Sequence, residues 1–99
     1  MTYKDLIETL EILKKYDDES PNCYSIWADY EEIGFSFKKS WNVSAKDIRR
    51  LAEMGWSLAC DYLYDENDDR FEKWENYKNV SDEELIKIFK DFNSISMFI

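Results

Sequence analysis

Three times in this chain a hydroxyl residue is followed at the third place by a carboxylate: Thr2 by Asp5, Ser44 by Asp47 and Ser81 by Glu84. Each pattern is a capping box or a variant of one, in which side chains satisfy backbone N–H groups that the first turn of a helix leaves unpaired. Three helix starts are thereby set, and the segments between them need another structure. After Thr2, the residues Tyr3, Leu6, Ile7, Leu10, Leu13 and Tyr16 recur at helical spacing, and Lys4 with Glu8 and Glu11 with Lys15 stand at i,i+4 on the face expected to meet water. "DDESPN", with the single proline at Pro21, ends this helix. After Ser44, Ile48, Leu51 and Ala52 point inward until Gly55 supplies the stop. After Ser81, Leu85, Ile86, Phe89 and Phe92 predict a third helix.

Between the first two helices the period changes to two. In "CYSIWADYEEIGFSF", Tyr24, Ile26, Ala28 and Tyr30 fall on one face, followed by Ile33, Phe35 and Phe37 after a turn near Glu31 and Glu32. The pattern predicts a hairpin with one buried face. Trp27 falls on the opposite face with Ser25 and Asp29, either packed under a helix or exposed for binding. "WSLACDYLY" alternates again and predicts a third strand, with Trp56, Leu58, Cys60, Tyr62 and Tyr64 on one side. In "RFEKWENYK", Phe71, Trp74 and Tyr77 repeat every third residue, which fits a helical turn as well as an irregular fourth strand. The C-terminal "SISMFI" is apolar and is expected to pack back on the sheet. The expected order is α-β-β-α-β-β-α, an α+β domain spanning residues 1–99 with helices over a small antiparallel sheet. A chain of 99 residues is short for two cores, and buries roughly 60 to 68% of its unfolded surface.

Residue usage removes most catalytic chemistry. There is no histidine, so a Ser or Cys nucleophile lacks its usual base and zinc lacks its commonest nitrogen ligand. With only Gly34 and Gly55, neither the dinucleotide fingerprint nor the P-loop can be written. A carboxylate pair of the glycosidase kind needs a deep cleft that so short a chain hardly encloses. We expect no catalytic residues and no cofactor. Cys23 and Cys60 form no CxxC pair and read as thiols in a reducing compartment. No signal peptide or membrane span is visible, and a cytoplasmic location is expected.

Charge is the strongest global signal. Acidic residues number 22 against 13 basic, giving a net charge of −9 at pH 7. Such a chain repels nucleic acid and anionic lipid and is drawn to basic surfaces, above all those of proteins that hold DNA or RNA. Aromatics make up 17% of the residues, more than a core of this size readily encloses, so some rings are expected at the surface. Lys46, Arg49 and Arg50 form the one positive patch and are read as counter-charges for nearby carboxylates.

Both signals meet in "CDYLYDENDDRFEKWENYKN". Between residues 61 and 75, Asp61, Asp65, Glu66, Asp68, Asp69, Glu72 and Glu75 give seven acids against Arg70 and Lys73. Read as a calcium loop, Asp65, Asn67 and Asp69 fill the first three ligand places. Arg70 then stands where the turn requires Gly, and Asn76 where the bidentate carboxylate belongs, so no dedicated calcium sensor is expected, and weak Ca²⁺ or Mg²⁺ binding at residues 65–69 stays as a minor alternative. Carboxylates projecting from a turn, flanked by Tyr64 and Trp74 as anchors, would suit a groove built for phosphates and bases.

A small, acidic, Lys/Asn/Tyr-rich chain of this kind resembles phage-encoded inhibitors of host defence, notably anti-CRISPR proteins and DNA mimics. The stretch "DYEEIGFSF…VSAKDIRRLAEMGW" is similar to a pattern of small phage and prophage proteins, carried by Asp29, Ile33, Val43, Ser44, Asp47, Leu51, Gly55 and Trp56. The resemblance implies fold and origin, and a protein partner such as a CRISPR effector whose nucleic-acid channel is occluded. The alternative expectation is a homo-oligomeric module in which exposed rings and the "SISMFI" tail bury against a second copy.

Overall fold

The computed structural model describes residues 2–16, 26–38, 41–59 and 68–98. The elements run α1 (Tyr3–Lys14), β1 (Ile26–Ala28), β2 (Glu32–Ser36), α2 (Ala45–Glu53), β3 (Ser57–Leu58), α3 (Arg70–Glu75), a 3-10 turn (Tyr77–Asn79), α4 (Asp82–Phe92) and β4 (Ser94–Phe98). The fold is α+β: the described strands form one antiparallel sheet in the order β1-β2-β4-β3, with helices packed on it.

All three capping residues act as expected. Thr2, Ser44 and Ser81 accept through their side-chain oxygens from the backbone N–H groups of Asp5 (3.1 Å), Asp47 (3.2 Å) and Glu84 (3.3 Å). Gly55, at φ 102°, ends α2 in a Schellman motif. Its N–H donates to Ala52 O and that of Trp56 to Leu51 O, at 3.0 and 3.2 Å. Asn93 ends α4 in the left-handed region at φ 59°, which turns the chain directly into β4.

The fourth strand is not residues 70–78. That segment is α3 and the 3-10 turn, because the three-residue repeat sets Phe71 and Trp74 on one helical face, against Phe92 and Phe89 of α4. The fourth strand is instead the C-terminal tail. Its residues lie between β2 and β3, hydrogen-bonded on both sides, with Ile95 fully buried.

Two expected faces are also placed differently. Tyr3, Ile7 and Leu10 of α1 are 88%, 57% and 44% exposed, and the buried stripe runs instead through Thr9, Ile12 and Leu13. The cause is polar. The buried Trp56 indole donates to Thr9 Oγ1 (2.9 Å), which itself donates to Asp5 O (2.8 Å), so the helix turns its hydroxyl inward. The flanking charges then reach α2, not solvent: Glu8 accepts from Arg50, and Asp47 from Lys15 (2.8 Å) and Tyr16. In β1, Ile26 shares a face with buried Phe35 yet is 67% exposed, since the described helices do not reach this edge strand. Tyr30, expected inward, is 96% exposed in the turn that Asp29 closes by accepting from Glu31 and Glu32 N–H (3.0 Å each).

The core lies between one sheet face and the helices. Trp56 and Phe35 meet edge to face at 5.3 Å, and Phe37 stacks on Phe89 at 5.0 Å. The other face of the sheet is uncovered by any described helix.

Candidate functional site

Two surfaces stand out, the acidic flank of α3 and the open face of the sheet. On the first, the sequence-predicted residues separate into groups. Asp61, Tyr64, Asp65 and Glu66 lie outside the described residues, as do both cysteines and the first three places of the calcium-loop pattern except Asp69. Asp68 is held by Arg70, whose Nε donates to both carboxylate oxygens at 2.8 and 3.0 Å and whose backbone N–H donates at 3.0 Å. The Arg70 side chain, then its backbone N–H, pull the Asp68 pKa down to about 2. The guanidinium also sits over the Phe92 ring, 4.5 Å from its centroid, so this pair joins α3 to α4. Asp69 precedes α3 and pairs with Lys73 at 3.2 Å. Lys73 also bonds Glu84 of α4, and its pKa is raised first by Glu84 and then by Asp69.

Glu72 and Glu75 differ from these. Both are exposed on α3 at i,i+3 spacing, and neither has an ion-pair partner among the described residues. Neighbouring side chains at this spacing lie about 5–6 Å apart between Cβ atoms, and like charges there oppose the helix.

Trp74 is not a surface anchor. It is 5% exposed, its ring stacks with Phe89 at 6.4 Å, and its Nε1 donates to the Trp56 carbonyl at 2.8 Å. The charge around Trp74 suggested a surface ring, whereas its three-residue repeat with Phe71 and Tyr77 marked the buried side of a helix. Two of the three residues of the basic patch, Arg49 and Arg50, are also consumed internally, while Lys46 is exposed. Arg49 pairs with Asp82 (2.5 Å) and donates to Val80 O (2.7 Å), and Arg50 pairs with Glu8 and Glu53.

The second surface is built by register. Trp27 pairs with Gly34, Gly34 with Ser96, and Ser96 with Ser57, so one row crosses all four strands on the face away from the helices. Glu32 and Phe98 form the adjoining pair. The indole of Trp27 lies across Gly34: a Cβ there would come closer than 3.0 Å to the ring's Cζ2, Cε2 and Cη2. Glycine is what lets the ring lie down. Between Trp27, Ser57, Ser96, Glu32 and Phe98 opens a groove of about 350 Å³, closed along β3 by Leu58 and Ala59. Phe98 is 75% exposed at its rim. No Lys or Arg is among the described residues lining it. The choice left open for Trp27 thus resolves against packing under a described helix: the half-buried ring lies on Gly34 and lines the groove, and the signal that could have found this was a glycine in mid-strand beside a tryptophan.

Among the described residues no group of three or more His, Cys, Asp or Glu could hold a metal ion. No helix is long and apolar enough to cross a membrane. No family model, no curated protein and no solved structure matches this chain.

Proposed function

We infer that this chain is a non-enzymatic inhibitor that docks on a basic, nucleic-acid-handling protein, of the kind anti-CRISPR proteins act on, by offering carboxylates where phosphates would bind. One observation carries it. Three cations near the acidic segment are tied to carboxylates of other elements or neighbouring turns, in Arg49–Asp82, Arg70–Asp68 and Lys73–Glu84, while Glu72 and Glu75 face outward without partners among the described residues. A net charge of −9 is therefore expressed at the surface, where it attracts a positively charged channel and accelerates encounter. The partner class places the action in the cytoplasm of a bacterial host. Asp61, Asp65 and Glu66 extend the same run of charge along the chain.

The test uses the native chain and a variant carrying Asp65→Asn, Glu66→Gln, Glu72→Gln and Glu75→Gln. Each is titrated into target-DNA cleavage by purified CRISPR effectors at about 0.1 M and about 0.5 M salt, a range over which screening shortens steeply. Inhibition by the native chain at low salt, lost in the variant, is expected. Equal inhibition by both chains rules out phosphate mimicry, and absence of inhibition in every effector type rules out the partner class.

A second reading has its own observation: Tyr3, Ile7 and Leu10 form an exposed apolar stripe at i, i+4 and i+7 of α1. Such a stripe suits burial against a second copy. The tail cannot contribute its backbone to that contact, since β4 is already paired on both edges. Sedimentation at rising concentration separates the two, because Ile7→Glu would dissolve a dimer made through α1 and leave inhibition by a monomer intact.

A further inference from the structure

We propose that the groove on the open sheet face is a binding site for an arginine side chain of a partner protein. It concerns the face away from the helices and does not depend on phosphate mimicry at α3.

The groove's chemistry selects its ligand. Among the described residues that line it, the one ionisable side chain is Glu32, whose carboxylate has no ion-pair partner among the described residues. An anion is refused by that charge, and no cation among the described lining residues offsets it. A purely apolar ligand would leave the carboxylate and the hydroxyls of Ser57 and Ser96 without partners, at a cost in desolvation. A cation meets all of these groups favourably. Trp27 adds the indole surface on which cations bind best among aromatic rings, and Phe98 stands at the rim on the strand next to Glu32.

Arginine fits better than lysine. A guanidinium is planar, so it can stack on an indole while its fork of N–H groups reaches a carboxylate and neighbouring hydroxyls in the same plane. An ammonium offers a compact, strongly hydrated charge and cannot do both. The size agrees: about 350 Å³ lies at the lower end of the ~300–1,000 Å³ typical of ligand sites, enough for one long side chain.

The site is also preorganised. Because Gly34 has no side chain, the Trp27 ring lies directly on its backbone, and the indole is already set before a ligand arrives. Cross-strand pairing fixes Glu32 beside Phe98 and Ser57 beside Ser96.

The experiment is an amide and indole N–H chemical-shift titration of the full chain with acetyl-Gly-Arg-Gly-amide, and with the same peptide carrying lysine or citrulline. Citrulline keeps the shape of arginine and removes its charge. Saturable shifts are expected at the Trp27 indole N–H and at the amides of Ser57, Ser96 and Phe98, strongest for arginine, weaker for lysine and absent for citrulline. Glu32→Gln should weaken arginine binding by roughly tenfold, the effect of about 1.4 kcal/mol. Gly34→Ala should weaken it by displacing the ring, with the Glu32 resonance retained. Equal shifts with citrulline, shifts confined to Glu72 and Glu75, or an unchanged affinity in Glu32→Gln in an otherwise native spectrum would each overturn the proposal. Equal inhibition by the native chain and the acidic variant, with these shifts intact, would sink the mimicry reading and leave the arginine site standing.

Discussion

The contact between Trp27 and Gly34 can be measured with a double-mutant cycle. Gly34 is not at positive φ, so alanine there suffers no backbone strain, and only the ring stands in its way. A tryptophan buries roughly 150–250 Å² when enclosed. Trp27 is half-buried, so displacing it returns about 100 Å² to water, a loss of about 2.5 kcal/mol at ~25 cal/mol per Å². Against this, alanine for glycine recovers about 0.4–1 kcal/mol by restricting the unfolded chain. Gly34→Ala alone should therefore destabilise the protein by about 1.5–2 kcal/mol, lowering Tm by roughly 6–16 °C for a chain of this size. In a Trp27→Ala background the same change meets no ring and should stabilise by about 0.4–1 kcal/mol. The sign reversal is the diagnostic, read from urea midpoints of the four proteins in the cycle. If Gly34→Ala has the same effect with and without the indole, the ring does not lie on Gly34 and the preorganised groove does not exist.

Thr9→Val should cost about 1–3 kcal/mol in urea denaturation, because the buried Trp56 N–H loses its acceptor, while Thr9→Ser should lose only about 1 kcal/mol for a methyl group. Trp74→Phe should cost about 1–3 kcal/mol by leaving the Trp56 carbonyl without its donor, yet should not change salt-dependent inhibition; a defect in inhibition without loss of stability would restore Trp74 to the surface. The lowered pKa of Asp68 makes a prediction in pH. Because its folded value is about 2, below the ordinary unfolded value of ~3.9, its contribution is complete above ~3.9 and is lost as pH falls through 2. Urea midpoints of native and Asp68→Asn proteins should differ at pH 6 and converge near pH 2, and a gap that persists there would show that Arg70 does not hold the carboxylate.

What the sequence disclosed and what it hid divide by range. Caps are local, so Thr2, Ser44 and Ser81 could be read from neighbours three residues away. The α+β class followed from alternating and helical periods, which are also local. The rotation of α1 depended on Trp56, 47 residues from Thr9, and no periodicity in α1 contains that information. The same holds for β4: "SISMF" was legible as apolar, but its place between β2 and β3 is set by pairing Ser36 with Ser94, 58 residues apart. At the candidate site, charge density was visible and its compensation was not. Asp68 looks like Glu72 in the sequence, and only the fold shows that one faces Arg70 and the other faces water.

That distinction bears on how the two surfaces divide a binding event. Lys15, Arg49, Arg50, Arg70 and Lys73 each bond a carboxylate, and for the first three a carboxylate partner lies 32 or more residues away on another helix, as in Arg49–Asp82 and Arg50–Glu8. Removing these cations would perturb the fold and raise the negative charge together, so they cannot report on binding alone. Glu72 and Glu75, unpaired among the described residues, can, since Glu72→Gln and Glu75→Gln change the field without touching a described contact. That field reaches only about 8–10 Å at 0.1–0.15 M salt, so it governs the rate of encounter and fades on adding salt. A guanidinium seated between Trp27 and Glu32 is in direct contact, partly screened from ions, and governs the rate of release. Salt should therefore slow association in the native chain, Glu72→Gln with Glu75→Gln should mimic that slowing, and Glu32→Gln should instead hasten dissociation at every salt concentration.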